Sequence, residues 1–185
     1  DIWIQSIDSA REQQAVVATE AQAFNGRFSP DGRWLAYLAS ADGRTELYVR
    51  PLPAGPGKWQ ISTGGAIEQH WSADGSELFF RNAGTLFRVA VAKPGAGGAF
   101  VASSPERVAE GFRPGDNLRS YSPAPDGTRF AALPADTPAG LRAFGFPLVQ
   151  KARRGGYAGR GVVVIRDEDQ LSRALSGATY AEALV

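Results

Sequence analysis

The sequence contains no cysteine and only one histidine, His70. Without cysteine the chain can form neither a disulfide nor a zinc site with thiolate ligands. With a single histidine it can hold no histidine-based metal cluster, and a Ser-His-Asp triad would depend on His70 alone. We expect His70, in Gln69-His70-Trp71, to be a strand residue with a satisfied hydrogen bond rather than a catalytic base.

The chain also lacks a strong excess of charge and a long apolar run. Its 20 basic and 19 acidic residues leave a net charge of +1, which gives no support for nucleic-acid or membrane-surface binding. No apolar stretch approaches the roughly 18 residues that a membrane span needs. The chain opens on a strand-like Asp1-Ile2-Trp3-Ile4 rather than a signal peptide, so we expect it to begin within a domain.

The sequence contains a repeated unit of short strands. Asp-Gly pairs begin at positions 31, 74 and 126, and each stands at the same place in an ungapped alignment. A unit of about 40–45 residues made of short strands is the period of four-stranded propeller blades. The aligned stretches are SPDGRWLAY (29–37), SADGSELFF (72–80) and APDGTRFAA (124–132), accompanied by DIWIQSI (1–7), ELYVRPL (46–52) and TLFRVAV (85–91).

The aspartates of this repeat have two interpretations, one as turn-capping residues and one as ligands of a binding site. Asp-Gly between two apolar runs predicts a tight hairpin, because glycine tolerates a positive φ and aspartate caps the turn. A cation or ligand site at Asp31, Asp74 and Asp126 is the alternative, and the recurrence at one turn position favours capping. Each unit is therefore predicted as strand, Asp-Gly turn, strand, Asp/Asn-Gly turn and strand.

The tryptophans are expected to be structural. Trp34, Trp59 and Trp71 lie in or beside the predicted strands. We expect them to pack between blades rather than to form a ligand cage.

The repeat resembles a known family. SPDGRWLAY followed by a Tyr-Val strand is similar to TolB-type, WD-repeat-like β-propeller repeats of bacteria, over residues 1–135. GKWQISTGG (57–65) with HWSADGSELFF (70–80) resembles propellers located after the kinase domain in some bacterial Ser/Thr kinases, although the chain carries no kinase motif. The resemblance implies a mainly β fold with an incomplete propeller of about three blades. Because fewer than four blades cannot close a ring, the chain should form an open array or associate with another chain.

The pattern changes after residue 135. Residues 136–141 are predicted to be a linker, and residues 142–185 a small α+β unit. PLVQKA (147–152), VVVIR (162–166) and ATYAEALV (178–185) are predicted strands, with a helix from the capping residue Asp167 to about Ser176. A glycine-rich loop comes after Lys151, and such a loop suits phosphate binding, while Arg153 and Arg154 are equally compatible with a solvated face.

The run GFPLVQKARRGGYAGRGVVVIRDEDQL (145–171) resembles ATP-grasp enzymes, most closely N5-carboxyaminoimidazole ribonucleotide synthases of purine biosynthesis. The resemblance implies ATP as ligand, with Lys151 at its phosphates and a lid around them. Where the family has an aspartate in the lid, this chain has Ala158, and the family's Mg²⁺ ligands and substrate domain have no counterpart here. The implied lid residues are Gly156, Tyr157, Gly159, Arg160, Gly161 and Val162, and Glu182 to Val185 would lie at the adenine edge.

Two functions remain open on the sequence. The first is a non-catalytic propeller that binds a protein or small ligand as a sensor or scaffold, fused to a truncated nucleotide-binding piece. The alternative is a fragment of an ATP-grasp ligase that activates a carboxylate. The propeller interpretation suits a periplasmic or extracytoplasmic location, and the ligase interpretation a cytoplasmic one.

Overall fold

The computed structural model describes residues 1–7, 13–18, 22–93, 98–112, 121–125, 128–132, 139, 141–142, 146–152, 162–173 and 179–183. Within these residues the regular elements are fifteen β-strands and one 3-10 helix, Glu168–Arg173, and residues 139 and 141–142 are also helical. The strands are Ile2–Gln5 (β1), Gln13–Val17 (β2), Gln22–Phe28 (β3), Trp34–Ala41 (β4), Arg44–Pro51 (β5), Trp59–Gln60 (β6), Glu68–Trp71 (β7), Glu77–Asn82 (β8), Thr85–Ala90 (β9), Glu106–Glu110 (β10), Tyr121–Pro123 (β11), Phe130–Ala132 (β12), Leu148–Ala152 (β13), Val162–Ile165 (β14) and Thr179–Ala183 (β15).

Two four-stranded antiparallel sheets, which we call blade 1 and blade 2, make up the middle of the chain. Blade 1 has the order β3-β4-β5-β6 and blade 2 the order β7-β8-β9-β10, so every strand pairs with the next along the chain. The two-stranded sheet β1-β2 precedes them in the chain, and the two-stranded sheet β11-β12 comes after them. The predicted repeat of short antiparallel strands is therefore present, as two four-stranded units with a two-stranded unit on either side. The strands β6 and β10 add a fourth strand to the three predicted per unit.

The Asp-Gly turns cap hairpins as predicted. Asp31 Oδ1 accepts hydrogen bonds from Ser29 Oγ at 2.6 Å and from the Arg33 backbone N–H at 3.1 Å. Gly32 is the next residue, with φ of 71°, a left-handed conformation that glycine adopts without strain. The hydrogen bond from Ser29 is the largest influence that lowers the pKa of Asp31. The carboxylate is therefore used to hold the turn.

The second turn repeats this geometry. Asp74 Oδ1 accepts hydrogen bonds from Ser72 Oγ at 2.8 Å and from the Ser76 backbone N–H at 3.0 Å. These bonds, that of the Ser76 backbone first, lower the pKa of Asp74 to about 2. Within blade 1 the β4-β5 turn has positive φ at both Asp42 and Gly43, the mark of a type I′ hairpin. The third predicted turn, at Asp126, lies outside the described residues.

Blades 1 and 2 pack face to face through apolar side chains. Successive residues of a strand point to opposite faces, so a continuous apolar run such as β4 is buried on both sides. Trp34 and Leu38 on one face of blade 1 join Leu78 and Phe80 of blade 2 in a single core cluster. The partly buried Trp59 and Trp71 pack against the same cluster, so the part of the expectation that places the three tryptophans between blades is confirmed.

The outer faces of the two blades are covered by the flanking half-sheets. Leu35 and Tyr37, on the other face of β4, pack with Val16 and Val17 of β2. On the far face of blade 2, Phe79 packs with residues of β11 and β12. Every blade is thus sandwiched between its neighbours, as propeller packing requires.

The first strands of the two blades are joined by side-chain hydrogen bonds. Asn25 Nδ2 donates to Gln69 Oε1 at 3.3 Å, and Gln69 Nε2 donates back to the Asn25 carbonyl. Trp71 Nε1 donates to the Arg27 carbonyl at 3.2 Å. Strand β3 has a register shift between Phe24 and Arg27, and Asn25 within it has φ of 54°. The bulge presents backbone carbonyls to β7, which contacts β3 without a strand ladder.

The C-terminal residues form an antiparallel sheet of order β14-β13-β15. This confirms the three strands predicted there. The helix predicted after Asp167 is present, and its described residues, Glu168–Arg173, form a 3-10 helix. Gln170 N–H donates to both the carbonyl and the Oδ1 of Asp167, the i to i+3 spacing of a 3-10 turn. Leu171 is the buried residue among Glu168–Arg173.

Candidate functional site

Three aromatic rings from distant parts of the chain meet in the core that blades 1 and 2 share. Trp34 comes from β4, Trp59 from the two-residue strand β6, and Phe100 from the segment between β9 and β10. The Trp34 ring makes edge contacts with both others, at centroid distances of 5.7 Å to Trp59 and 5.2 Å to Phe100. Trp59 and Phe100 are 5.6 Å apart. Trp34 and Phe100 are buried, and Trp59 is half-buried.

Trp59 and Phe100 line a groove, which we call the aromatic groove, and the buried Trp34 packs against both rings. The groove has a volume of about 590 Å³ and runs between β6 and residues 100–105. Its walls include the hydroxyls of Thr63, Ser103 and Ser104 and the amide of Gln60. Among the described residues that line it, none is acidic, basic or histidine. The groove therefore offers aromatic contact and neutral hydrogen bonding, but no charged group for a phosphate or carboxylate.

One wall of the groove is positioned by a buried carboxylate. Glu46, on β5, accepts hydrogen bonds from the Gly65 backbone N–H at 3.1 and 3.0 Å to its two oxygens, and from Ser62 Oγ. The same Ser62 hydroxyl accepts a bond from the Leu47 N–H at 2.9 Å. Gly65 has φ of 106°. The loop that carries Thr63 is thus fixed to the middle of blade 1 rather than left to solvent.

The other wall is attached to blade 2. Ala102 forms an antiparallel bridge with Val91, just beyond β9. The Ser103 hydroxyl accepts a hydrogen bond from the Ala90 N–H at 3.0 Å. Val101 points outward and is 58% exposed. The two walls belong to different blades, so the groove depends on the packing of blade 1 against blade 2.

The position of the Trp59 ring depends on its close approach to Gly57. A Cβ at position 57 would lie 2.6 Å from the Trp59 ring, nearer than non-bonded carbons come. At Gly55 a Cβ would meet nothing closer than 3.7 Å. Only glycine at position 57 lets the indole keep its place.

A second polar cluster lies between β7, β8 and β11. Glu68 Oε1 is 3.1 Å from His70 Nε2, and Glu68 Oε2 is 3.7 Å from Arg81 Nε. Arg81 is fully buried and also donates from Nη1 to the Ala83 carbonyl at 2.7 Å. The prediction that His70 is a hydrogen-bonded strand residue is confirmed. Its ring meets the Tyr121 ring edge-on at 4.8 Å.

The Tyr121 hydroxyl is a buried group with no hydrogen-bond partner among the residues that the structure describes. Burial is the first cause that raises the pKa of this phenol well above its ordinary value, and the nearby Glu68 raises it further. The cluster thus keeps a neutral phenol beside an ion pair in the interface between blade 2 and β11. We interpret it as an element of blade packing, since its charges face each other rather than an opening.

The residues implied by the ATP-grasp resemblance lie in or around the C-terminal sheet. Lys151 and Val162 are a pair in the β13-β14 hairpin, at the two ends of the predicted glycine-rich loop. Glu182 pairs with Val149 across β13 and β15. Gly156, Tyr157, Gly159, Arg160, Gly161 and Val185 lie outside the described residues. Leu141, at the end of the predicted linker, is buried with Ile165 and Leu171 in a small core.

The sequence indicated only part of the aromatic groove. Trp59 stands in the GKWQISTGG stretch that carries one of the resemblances, whereas Phe100 stands in no motif. Its signal, an apolar residue between glycine-rich and serine-rich stretches, does not reveal that it meets Trp34.

Within the residue ranges that the structure describes, no group of three or more His, Asp or Glu side chains is able to hold a metal ion. The same residues include no helix long and apolar enough to span a membrane.

Sequence comparison relates part of the chain to two proteins of Streptomyces coelicolor. Tricorn protease homolog 1 is 33% identical over 81 residues, 42% of this chain and 7% of the relative. Putative tricorn protease homolog 2 is 32% identical over 65 residues, 35% of this chain and 6% of the relative. The chain therefore spans a small fraction of the length of these relatives. It matches no protein-family model.

Structural comparison gives a broader match. The crystal structure of TolB from Acinetobacter baumannii is similar with a TM-score of 0.50 and 16% identity, covering 89% of this chain and 37% of TolB. At that identity the likeness concerns the fold alone. Residues 1–135 are fewer than three quarters of the 185, so the match includes part of the C-terminal region. The chain has a TolB-like β-propeller fold, and neither comparison supports the ATP-grasp resemblance.

Proposed function

We propose that this chain is a non-catalytic β-propeller module that binds an uncharged segment of a partner protein in the aromatic groove. The observation that carries the proposal is the groove, which Trp59 and Phe100 line between walls without charge, with the buried Trp34 packed against both rings. Aromatic side chains in a pocket supply most of the binding energy of many protein interfaces.

The lining favours a polypeptide over a small charged ligand. A phosphate or carboxylate is bound by arginine, lysine or a set of converging N–H groups, and the lining side chains supply no cation. An extended peptide instead needs apolar contact for its side chains and neutral partners for its backbone. Thr63, Ser104 and Gln60 are neutral polar residues that line the groove beside its two aromatic rings. The Ser103 hydroxyl is already used, because it accepts from the Ala90 N–H and donates to the Ser104 carbonyl.

The sequence of the repeat supports a more specific role for this module. A sensor or scaffold role of the kind played by propellers linked to bacterial Ser/Thr kinases is our preferred form of this function. It rests on the GKWQISTGG stretch, which contributes Trp59, Gln60, Ile61 and Thr63 to the groove.

The test uses two exposed valines as a matched pair. Val101 lines the groove and is 58% exposed, whereas Val108 on β10 is 37% exposed and lies outside it. The probe is a displayed library of ten-residue peptides without Asp, Glu, Lys or Arg, and selected peptides are measured by fluorescence anisotropy. We expect Val101→Lys to weaken binding at least tenfold and Val108→Lys to leave it unchanged. Recovery of no peptide, or equal binding by Val101→Lys, contradicts the proposal.

The ATP-grasp interpretation is the second candidate, and one observation favours it. The β13-β14 hairpin holds Lys151 opposite Val162, at the base of the glycine-rich loop, where the resemblance requires them. A retained ATP site would stabilise the fold by about 2.7 kcal/mol at a hundredfold excess of ATP·Mg²⁺ over its dissociation constant. Lys151→Ala should abolish that thermal shift and Lys93→Ala, an exposed lysine elsewhere, should not. An unchanged melting temperature with ATP·Mg²⁺ removes this candidate.

A further inference from the structure

Residues 100–105 form an open edge of blade 2 beside the aromatic groove. The Val101 carbonyl and the Ser103 N–H are hydrogen-bonded to residues 90–92 at the end of β9, at 3.0 and 2.9 Å. Because successive residues of an antiparallel strand direct their backbone groups to opposite sides, the N–H and C=O of Ala102, between these two, point away from β9. Within the part of the chain that the structure describes, no strand pairs with that side.

The face of this edge that looks toward blade 1 is apolar. Phe100 is buried in the core cluster that the two blades share, and Ala102 packs against it. The Trp59 ring is 5.6 Å from the Phe100 ring and belongs to the blade 1 wall of the groove. A strand laid along residues 100–104 would direct every second side chain to this face. The groove therefore has room for alternate side chains of an extended segment beside Trp59.

The opposite wall offers a shorter edge. β6 has two residues, and the Ser62 carbonyl beyond it already accepts a hydrogen bond from Gln60 Nε2 at 2.8 Å. On the blade 2 wall the Ser104 carbonyl accepts from the hydroxyl of the preceding residue at 3.0 Å, and Pro105 has no N–H to donate. The edge that a partner backbone can use is therefore centred on Ala102 and ends at Pro105.

We infer that the partner segment binds as an added β-strand on the edge of blade 2, with its backbone paired to Ala102. The inference deepens the proposed function and rests on it, since the same groove holds the alternate side chains of the segment while blade 2 becomes five-stranded. Open strand edges are templates for another strand. Main-chain hydrogen bonds then give affinity, and pockets for every second side chain give specificity. The partner is a segment of another protein with uncharged, apolar residues at alternate positions.

Methylation of one backbone nitrogen at a time tests the pairing in a ten-residue peptide selected from the uncharged library. A methyl group removes one N–H donor. We expect about tenfold weaker binding at every second residue of the bound core and little change at the residues between, because only alternate N–H groups face the edge. Fluorescence anisotropy on the unaltered 185-residue chain measures each peptide. Equal effects at consecutive residues, or no effect at any residue, would refute strand addition while the proposed peptide binding stands.

Ala102→Pro tests the same pairing from the side of the chain. Proline removes the Ala102 N–H, which is not used toward β9, and sheets accept proline at edges where the N–H faces outward. We expect Ala102→Pro to bind the peptide about tenfold more weakly, and Ala102→Ser, which keeps the N–H, to retain most of the affinity. Circular dichroism checks that both variants fold. Equal binding by the two variants contradicts the inference, and if Ala102→Pro does not fold, the methylation series decides.

Two further outcomes have separate meanings. If the wild-type chain binds no peptide at all, the proposed function and the inference fail together. If light scattering shows a dimer that Ala102→Pro converts to single 19.6 kDa chains, a second copy of this chain occupies the edge. That result would overturn the assignment of the edge to another protein.

Discussion

Replacing Glu68 by glutamine perturbs a single charge in the interface between blade 2 and β11. The Glu68 carboxylate faces His70 Nε2 at 3.1 Å and Arg81 Nε at 3.7 Å. The side chains of Glu68 and Arg81 are 6% and 0% exposed, so water screens their interaction weakly. Glutamine keeps the size of the side chain and removes its charge. Glu68→Gln therefore isolates the electrostatic part of the contact.

The expected loss is large because the guanidinium stays buried. Removing one partner of a buried ion pair lowers the free energy of unfolding by about 3–5 kcal/mol. Glu77→Gln is the matched control, since Glu77 pairs with Arg88 at 3.5 Å and both side chains are partly exposed. An exposed pair contributes about 0–1 kcal/mol. The two substitutions make the same chemical change in adjacent parts of blade 2.

Urea unfolding monitored by the fluorescence of the four tryptophans measures both variants. Glu68→Gln should move the midpoint strongly to lower urea with an unchanged slope, and Glu77→Gln should barely move it. The double variant Glu68→Leu/Arg81→Met removes both charges and should recover most of the loss. If Glu68→Gln costs less than about 1 kcal/mol, or the double variant is no more stable than the single one, the buried-pair explanation is wrong.

Three further predictions concern single positions. Gly57→Ala should shift the tryptophan emission spectrum and weaken peptide binding, because the new methyl group displaces Trp59; Gly55→Ala should do neither, and identical spectra would count against the close approach. Tyr121→Phe should keep or raise the free energy of unfolding, by up to about 1–3 kcal/mol, since it removes a buried hydroxyl without a described partner; a clear loss in urea unfolding would contradict this. The pKa of Asp74 is lowered from 3.8 to about 2 in the folded chain, so its stabilising effect is complete above pH 3.8 and disappears as the pH falls through about 2; an NMR titration that finds an ordinary pKa would disprove the turn bonds.

Local sequence signals are enough to predict the hairpins. The Asp31 and Asp74 turns, and the strands on either side of them, are predicted by Asp-Gly between apolar runs. These features depend on a few neighbouring residues, and the repeat supplies the same signal at fixed spacing. The strand β6 has only two residues and carries no alternation that a pattern could detect. The sequence predicts a helix after Asp167 but not its type, because capping residues at 167 and 170 suit both a 3-10 helix and an α-helix.

The candidate site was less predictable because it is assembled by packing between blades. Trp59, Phe100 and Trp34 contact one another across the two blades, and no local pattern in the sequence indicates that these rings meet. The pairing of Glu68 with Arg81 likewise depends on the register of β7 and β8, which becomes known only when the turn between them is fixed. Sequence indicated which residues would be buried, but not which of them would share a groove.

Cross-strand nuclear Overhauser effects test the propeller organisation most directly. The structure places Tyr37 opposite Tyr48 in blade 1 and Phe80 opposite Phe87 in blade 2, each in an antiparallel pair. We predict contacts between the backbones of both pairs, together with side-chain contacts from Leu38 to the face of blade 2. Helical sequential contacts through residues 34–41 or 77–82, or the absence of both cross-strand sets in a folded sample, would contradict a fold of stacked blades.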